Sequence, residues 1–252
     1  MSAPALIFLL VAGVGAGLTG SVAGLASLVS YPALLAVGLP PIAANVTNTL
    51  ALLGITAGAA AGSRPELAGQ RARLKTVCLI TGIGGAFGAA LLLLTPPDAF
   101  TAIVPFLIAT ASILLILGPY LRNRSPNSAA SGFGPLAAVA AFGVAVYGGY
   151  FGAAAGVLML ALLSTVWAES LARSNAAKNL ATGAANLVAA VVFAFTGKVY
   201  WPAMIALCLG SVVGAWIGPA IVRRVPATPL RIVIALAGLG LAATLAWQTF
   251  AE

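Results

Sequence analysis

Histidine is absent from the 252 residues, and acidic side chains occur only at Glu66, Asp98, Glu169 and Glu252. The first absence excludes imidazole acid–base chemistry, Ser–His and Cys–His nucleophiles and histidine metal ligation. The second leaves the carboxylates too scattered to pair. Neither a metal site nor a cofactor is expected. Charged residues make up 6% of the chain, against about 25% in soluble domains, so water is not its main solvent. No soluble basic face exists to carry a nucleic acid. The two cysteines, Cys78 and Cys208, lie deep in apolar runs and read as small hydrophobes rather than a disulfide or metal pair.

What remains is oil-like. Apolar residues account for 62% of the chain and the mean hydropathy is +1.11. Runs of roughly twenty apolar residues recur, each able to cross a ~30 Å hydrocarbon core. The fold expected is an all-α integral membrane protein, multi-pass in a bacterial-type cell membrane, with about eight transmembrane helices. Self-association into a homo-oligomer is left open. Met1–Leu10 has no basic region and the apolar run continues to Val29, which argues against a cleaved signal peptide. The net charge of +8 fits cytoplasmic-loop lysines and arginines; the sharper alternative is attraction of an anionic solute to a pore mouth.

The spans expected are about Pro4–Val29, Ile42–Ala61, Thr76–Leu94, Ala99–Leu121, Pro135–Ser164, Ala176–Thr196, Pro202–Val222 and Pro229–Phe250. A polar stretch separates two homologous four-helix repeats, residues 1–121 and 135–252, with a linker at 122–134. Cys78 and Cys208, Gly84 and Gly214, Gly88 and Gly218, and Pro96 and Pro226 all stand 130 residues apart, which indicates duplication. Eight single crossings make the repeats parallel. They put the N-terminus inside, with the basic loops at 64–75 and 122–124, but strand Arg223, Arg224 and Arg231 outside. A broken fifth span that enters and leaves on one side removes that conflict.

Two polar stripes interrupt the apolar chain: Asn45, Asn48, Thr49 and Thr56, then Asn175, Lys178, Asn179 and Asn186. Steps of three, four and seven place each set on one helix face. Polar groups in hydrocarbon require partners or a wet cavity, so both stripes are substrate-path candidates. The alternatives are interhelical packing, capping by Asn45 and Asn175, and a Lys178 that reaches out to headgroups. Glycine-rich turns at Gly20, Gly24, Gly152 and Gly156 allow either close helix packing or a broken helix whose freed amides face an anion. Glu169 and Arg173 frame the second stripe as an exposed pair or a gate. A Ser–Lys enzyme embedded in the membrane is the alternative class, without a supporting motif.

The ordered set of segments resembles the TauE/SafE sulfite-exporter family, also called the toluene-sulfonate uptake permeases. The first half carries Gly20-Ser21-Val22-Ala23-Gly24, Tyr31-Pro32-Ala33-Leu34-Leu35, Gly38-Leu39-Pro40-Pro41, Ala44-Asn45-Val46-Thr47-Asn48-Thr49 and Arg64-Pro65-Glu66-Leu67. The second carries Tyr147-Gly148-Gly149-Tyr150-Phe151-Gly152, Asn175-Ala176-Ala177-Lys178-Asn179-Leu180, Ala185-Asn186-Leu187 and Thr196-Gly197-Lys198-Val199-Tyr200-Trp201-Pro202. The resemblance implies a carrier of small sulfur-containing anions, such as sulfite or organosulfonates, with the stripes and glycine turns as its site. Ser21–Ala23 and Ala153–Ala155 stand where that family often has denser glycine, which gives packing more weight at those turns.

Overall fold

In hydrocarbon each backbone N–H and C=O must be satisfied within its own segment, so a chain this apolar crosses as helix. The structure, a computed structural model, describes residues 1–123, 133–167, 169–195, 198–222 and 228–250. Most of the expected linker, with Arg124, Arg223, Arg224, Pro226 and Glu252, falls outside them. Among the described residues the helices are α1 (Ala3–Ala23), α2 (Ala26–Ala36), α3 (Pro41–Ala51), α4 (Leu53–Gly62), α5 (Arg64–Leu67), α6 (Arg71–Leu94), α7 (Pro97–Asn123), α8 (Pro135–Tyr150), α9 (Ala155–Val166), α10 (Leu171–Ala194), α11 (Trp201–Val222) and α12 (Thr228–Phe250). Proline opens many of them, at Pro4, Pro41, Pro97, Pro135 and Pro202, where its missing N–H costs nothing.

Five of these stretches are long and apolar enough to cross a membrane: Ala3–Ala23, Pro41–Gly62, Arg71–Leu94, Leu171–Ala194 and Trp201–Ala220. Ala26–Ala36, Pro135–Tyr150 and Ala155–Val166 are apolar but shorter. Pro135–Tyr150 and Ala155–Val166 divide the fifth expected span, whereas Ala26–Ala36 starts within the first, which ends at Val29, and continues as helix into the connection that follows it. The first break is at Gly24, with φ +76°. The second is longer, with Gly152 at φ +76° and Ala154 at φ +58°.

Glycine contacts fix the helix directions. A side chain at Gly13 meets Leu207 and Gly210, and one at Gly17 meets Ser211 and Ala215, so α1 and α11 run parallel. Gly54 lies on Cys208, Gly58 on Val212 and Gly62 on Trp216 and Pro219, which makes α4 parallel to both. Because α3 and α4 run the same way as α1, α2 must return the chain to the end where α1 began. Gly15 facing Val29 confirms the fold-back. Gly84 meets Phe142 and Ala145, and Gly88 meets Val146 and Tyr150, so α8 runs parallel to α6.

Two apolar clusters occupy opposite ends of the molecule. Leu9, Leu34, Leu39, Leu92, Phe100, Phe193 and Ala203 gather the start of α1, the end of α2, the ends of α6 and α10, and the starts of α7 and α11. Leu74, Val77, Ala141, Leu163, Trp167 and Ala177 gather the starts of α6 and α10, with α8 and the end of α9. The α1–α2 hairpin opens toward the first end and the α8–α9 hairpin toward the second. The described basic residues of the 64–75 loop and Arg173 stand at the second end, opposite the N-terminus. Span one does not cross once, so the N-terminus parts company with the basic loops.

Candidate functional site

A helix ending inside the membrane exposes carbonyls that have no partner in the next turn. At the end of α1, Lys178 Nζ donates to Gly20 O at 2.9 Å and lies 3.4 Å from Ser21 O. Asn175 Nδ2 donates to Ser21 O at 2.8 Å, and Asn179 Nδ2 lies 3.3 Å from the same oxygen. Three members of the second stripe therefore cap a helix of the first half. A cation at a helix C-terminus also meets the negative end of its dipole, worth up to ~2 kcal/mol in partly buried geometry. Lys178 is 1% exposed and its ammonium points inward to these carbonyls, not outward to headgroups.

The first stripe reciprocates. Asn45 Nδ2 donates to Tyr150 O, at the end of α8, at 2.8 Å. Asn45 and Asn175 are thus not caps of their own helices, whose N-caps are Pro40 and Ser170; each braces the broken helix of the other half. Both leave Oδ1 buried without a hydrogen-bond donor. Asn48 turns to α2, where Ser30 Oγ is 2.5 Å from its Oδ1 and Ser27 Oγ accepts from its Nδ2 at 3.2 Å. Thr49 Oγ1 returns to Asn45 O at 3.0 Å.

Between the two breaks lies a cavity of about 50 Å³ open to the centre of a water molecule. A single water needs roughly 10–15 Å³ on that measure, so several waters or one small oxyanion fit. Gly20 and Gly24 line it from the first hairpin, Gly152 and Gly156 from the second, and Thr56, Asn179 and Asn186 from α4 and α10. Asn45, Asn48, Thr49, Asn175 and Lys178 do not line it; they hold the backbone that does. The tips touch. A Cβ on Gly24 would lie 2.5 Å from Gly156 C, and one on Gly156 would lie 2.6 Å from Gly24 Cα.

Sequence reasoning missed Ser27 and Thr182, which also line the cavity. Ser27 and Ser30 stand three apart in an apolar run, a spacing that could have exposed them. Thr182 extends the second stripe by one step of three from Asn179. The N-terminal ends of α2 and α9 face the cavity, through Ala26, Ser27, Ala155 and Gly156, as the broken-helix alternative at the glycine turns expects. The hydroxyl of Tyr147, the first residue of the Tyr147–Gly152 segment, donates to Ala153 O at 2.7 Å and steadies the second tip.

A charged cluster stands at the start of α10. Glu169 Oε2 lies 2.7 Å from Arg173 Nε, and its Oε1 3.4 Å from Arg73 Nη1. The pair expected between Glu169 and Arg173 is therefore a triad that joins both halves.

Comparison with known proteins places this arrangement. The chain is 27% identical over 237 residues to the probable membrane transporter YfcA of Escherichia coli K12, covering 94% of this chain and 88% of that protein. It is 29% identical over 215 residues to a probable membrane transporter of a Sinorhizobium species, covering 84% and 81%. A probable membrane transporter of Haemophilus influenzae is 27% identical over 236 residues, covering 92% and 90%. The sequence model of the sulfite exporter TauE/SafE family matches residues 9–245. With nearly its whole length matched, the chain belongs to the TauE/SafE family of membrane transporters.

Proposed function

We propose that this transporter carries a small sulfur-containing anion, sulfite or an organosulfonate, out of the cell across a bacterial-type plasma membrane. The observation that carries this reading is electrostatic. At the tips, the C-terminal end of α1 is occupied by Lys178, while the N-terminal ends of α2 and α9 line the cavity. Helix N-termini carry roughly half a positive charge each and present backbone N–H groups, a ready anion site. Ser27, Thr56, Thr182, Asn179 and Asn186 add hydroxyls and amides around it. We read the helices as two repeats, each of one re-entrant hairpin and three crossings; that odd number makes them run in opposite directions, in place of the parallel repeats expected from eight single crossings, with the site between the hairpins, the plan of many secondary carriers.

Among the described residues the cavity lining holds no Asp or Glu, and proton-driven carriers commonly use such a relay. Facilitation down the anion's gradient, or movement of a protonated form such as bisulfite, suits this lining. An inside-negative potential of 100 mV then drives export of each negative charge by about 2.3 kcal/mol. Counterflow in liposomes with sulfite, sulfate, thiosulfate, sulfoacetate and acetate tests the substrate class. Sulfite or sulfoacetate should exchange fastest, respond to an imposed voltage without a pH gradient, and slow at least tenfold in Thr56→Val/Asn186→Leu. Exchange at the rate of empty liposomes for every sulfur anion would sink the assignment.

A further inference from the structure

We propose that Arg73 and Arg173 form a second oxyanion site at the basic mouth, and that Glu169 is its built-in occupant. This deepens the anion-transport reading and rests on it for the ligand class. A carboxylate held between two guanidinium groups, 2.7 and 3.4 Å away, occupies the position that any small oxyanion would take, because the planar donor fork of arginine accepts either.

Both arginines are held without help from Glu169. Arg173 Nη2 donates to Ala68 O at 3.2 Å, and the Arg73 guanidinium lies 6.0 Å from the centre of the Trp167 ring. Trp167 is itself buried and packed against Phe133 at 6.4 Å. Removing the carboxylate would leave a prepared site. Displacing it is easy as well: the side chains of Arg73, Arg173 and Glu169 are 56%, 31% and 23% exposed, and ion pairs of that exposure contribute little.

Position supports the role. Arg173 opens α10, and Asn175, Lys178, Asn179, Thr182 and Asn186 follow on the same helix toward the cavity. The cluster ties the first half, through Arg73 and Ala68, to the second, through Glu169 and Arg173. An anion that displaces Glu169 therefore loosens the mouth as it binds. At the positions 130 residues away, Ala203, Leu39 and Ala43 are buried and apolar, so the equivalent positions at the opposite mouth do not repeat the triad.

The test uses the full chain with Trp201, Trp216 and Trp247 replaced by Phe, so that emission reports Trp167. Sulfite is titrated in zwitterionic detergent, and sulfite flux is measured in parallel in phosphatidylcholine vesicles. Glu169→Gln should lower the half-saturating sulfite concentration about tenfold in both measurements, and Glu169→Ala should do the same. Adding Arg73→Gln and Arg173→Gln should erase the gain. Half-saturation unchanged in both Glu169 variants, or a gain that survives loss of both arginines, overturns the proposal. A response that depends on Arg73 with phosphatidylglycerol but is missing with sulfite assigns the arginines to lipid headgroups and also overturns it. A Trp167 response to sulfite without flux keeps the mouth site and removes the transport reading; flux with neutral Glu169 variants does the reverse.

Discussion

Lys178 does structural and electrostatic work with the same ammonium. It satisfies the carbonyls of Gly20 and Ser21, and its charge stays within the low-dielectric surroundings of the cavity. Lys178→Met keeps much of the volume and removes the hydrogen bond of a charged donor, a loss of about 1.5–3 kcal/mol, while Gly24 N still donates to Gly20 O and Asn175 Nδ2 to Ser21 O. Thermal unfolding in detergent should register that loss, and sulfite exchange should fall at least tenfold. Lys178→Arg should restore part of both, since its larger planar fork keeps the charge but not the compact fit. Unchanged thermal stability in Lys178→Met would show that the cap is dispensable. Gly156 poses a steric question instead. Its missing side chain admits Gly24 Cα, so Gly156→Ala should force the tips apart, cost about 1–3 kcal/mol and abolish exchange. An alanine variant with wild-type stability would mean that the hairpins separate freely.

The helix breaks are where element and sequence part company. Gly20, Gly24, Gly152 and Gly156 mark the broken regions, and the broken-helix alternative was legible because small residues interrupt two otherwise continuous apolar runs. The fold-back was not legible. Ala26–Ala36 is as apolar as a continuing span, and only packing of Gly15 on Val29 and of α4 along α1 and α11 shows that it returns. The stripes show the same division. Their spacing located one face of α3–α4 and one of α10, but a period says nothing of what that face meets. Thr56, Asn179 and Asn186 face the cavity; Asn45, Asn175 and Lys178 meet helix ends more than a hundred residues away in sequence. Ala154, at φ +58°, holds a conformation that β-branched side chains strongly resist. Ala154→Val should therefore lower thermal stability by about 1–3 kcal/mol, more than Ala153→Val, whose backbone lies outside that region; equal losses would place the cause in volume alone.

For the whole molecule, composition was enough for the membrane class, whereas orientation needed the hairpins. Charge asymmetry predicts the 64–75 loop in the cytoplasm, and with the direction of α1 it predicts Ser2 outside. A membrane-impermeant thiol reagent on intact cells should label Ser2→Cys and spare Gly69→Cys, in a background with Cys78 and Cys208 replaced by Ala. Labelling of Gly69→Cys alone would reverse the orientation. One further property follows from the way α1 lies along α11 and α8 along α6. During synthesis, the first 121 residues emerge before α8, α10 and α11 exist, so α1, α4 and α6 wait in the lipid with glycine faces uncovered. The early product should depend on insertase or chaperone shelter, and residues 1–121 made alone should be degraded. Co-expression with residues 135–252 should rescue them, because maturation is a pairing reaction between two unfinished pieces.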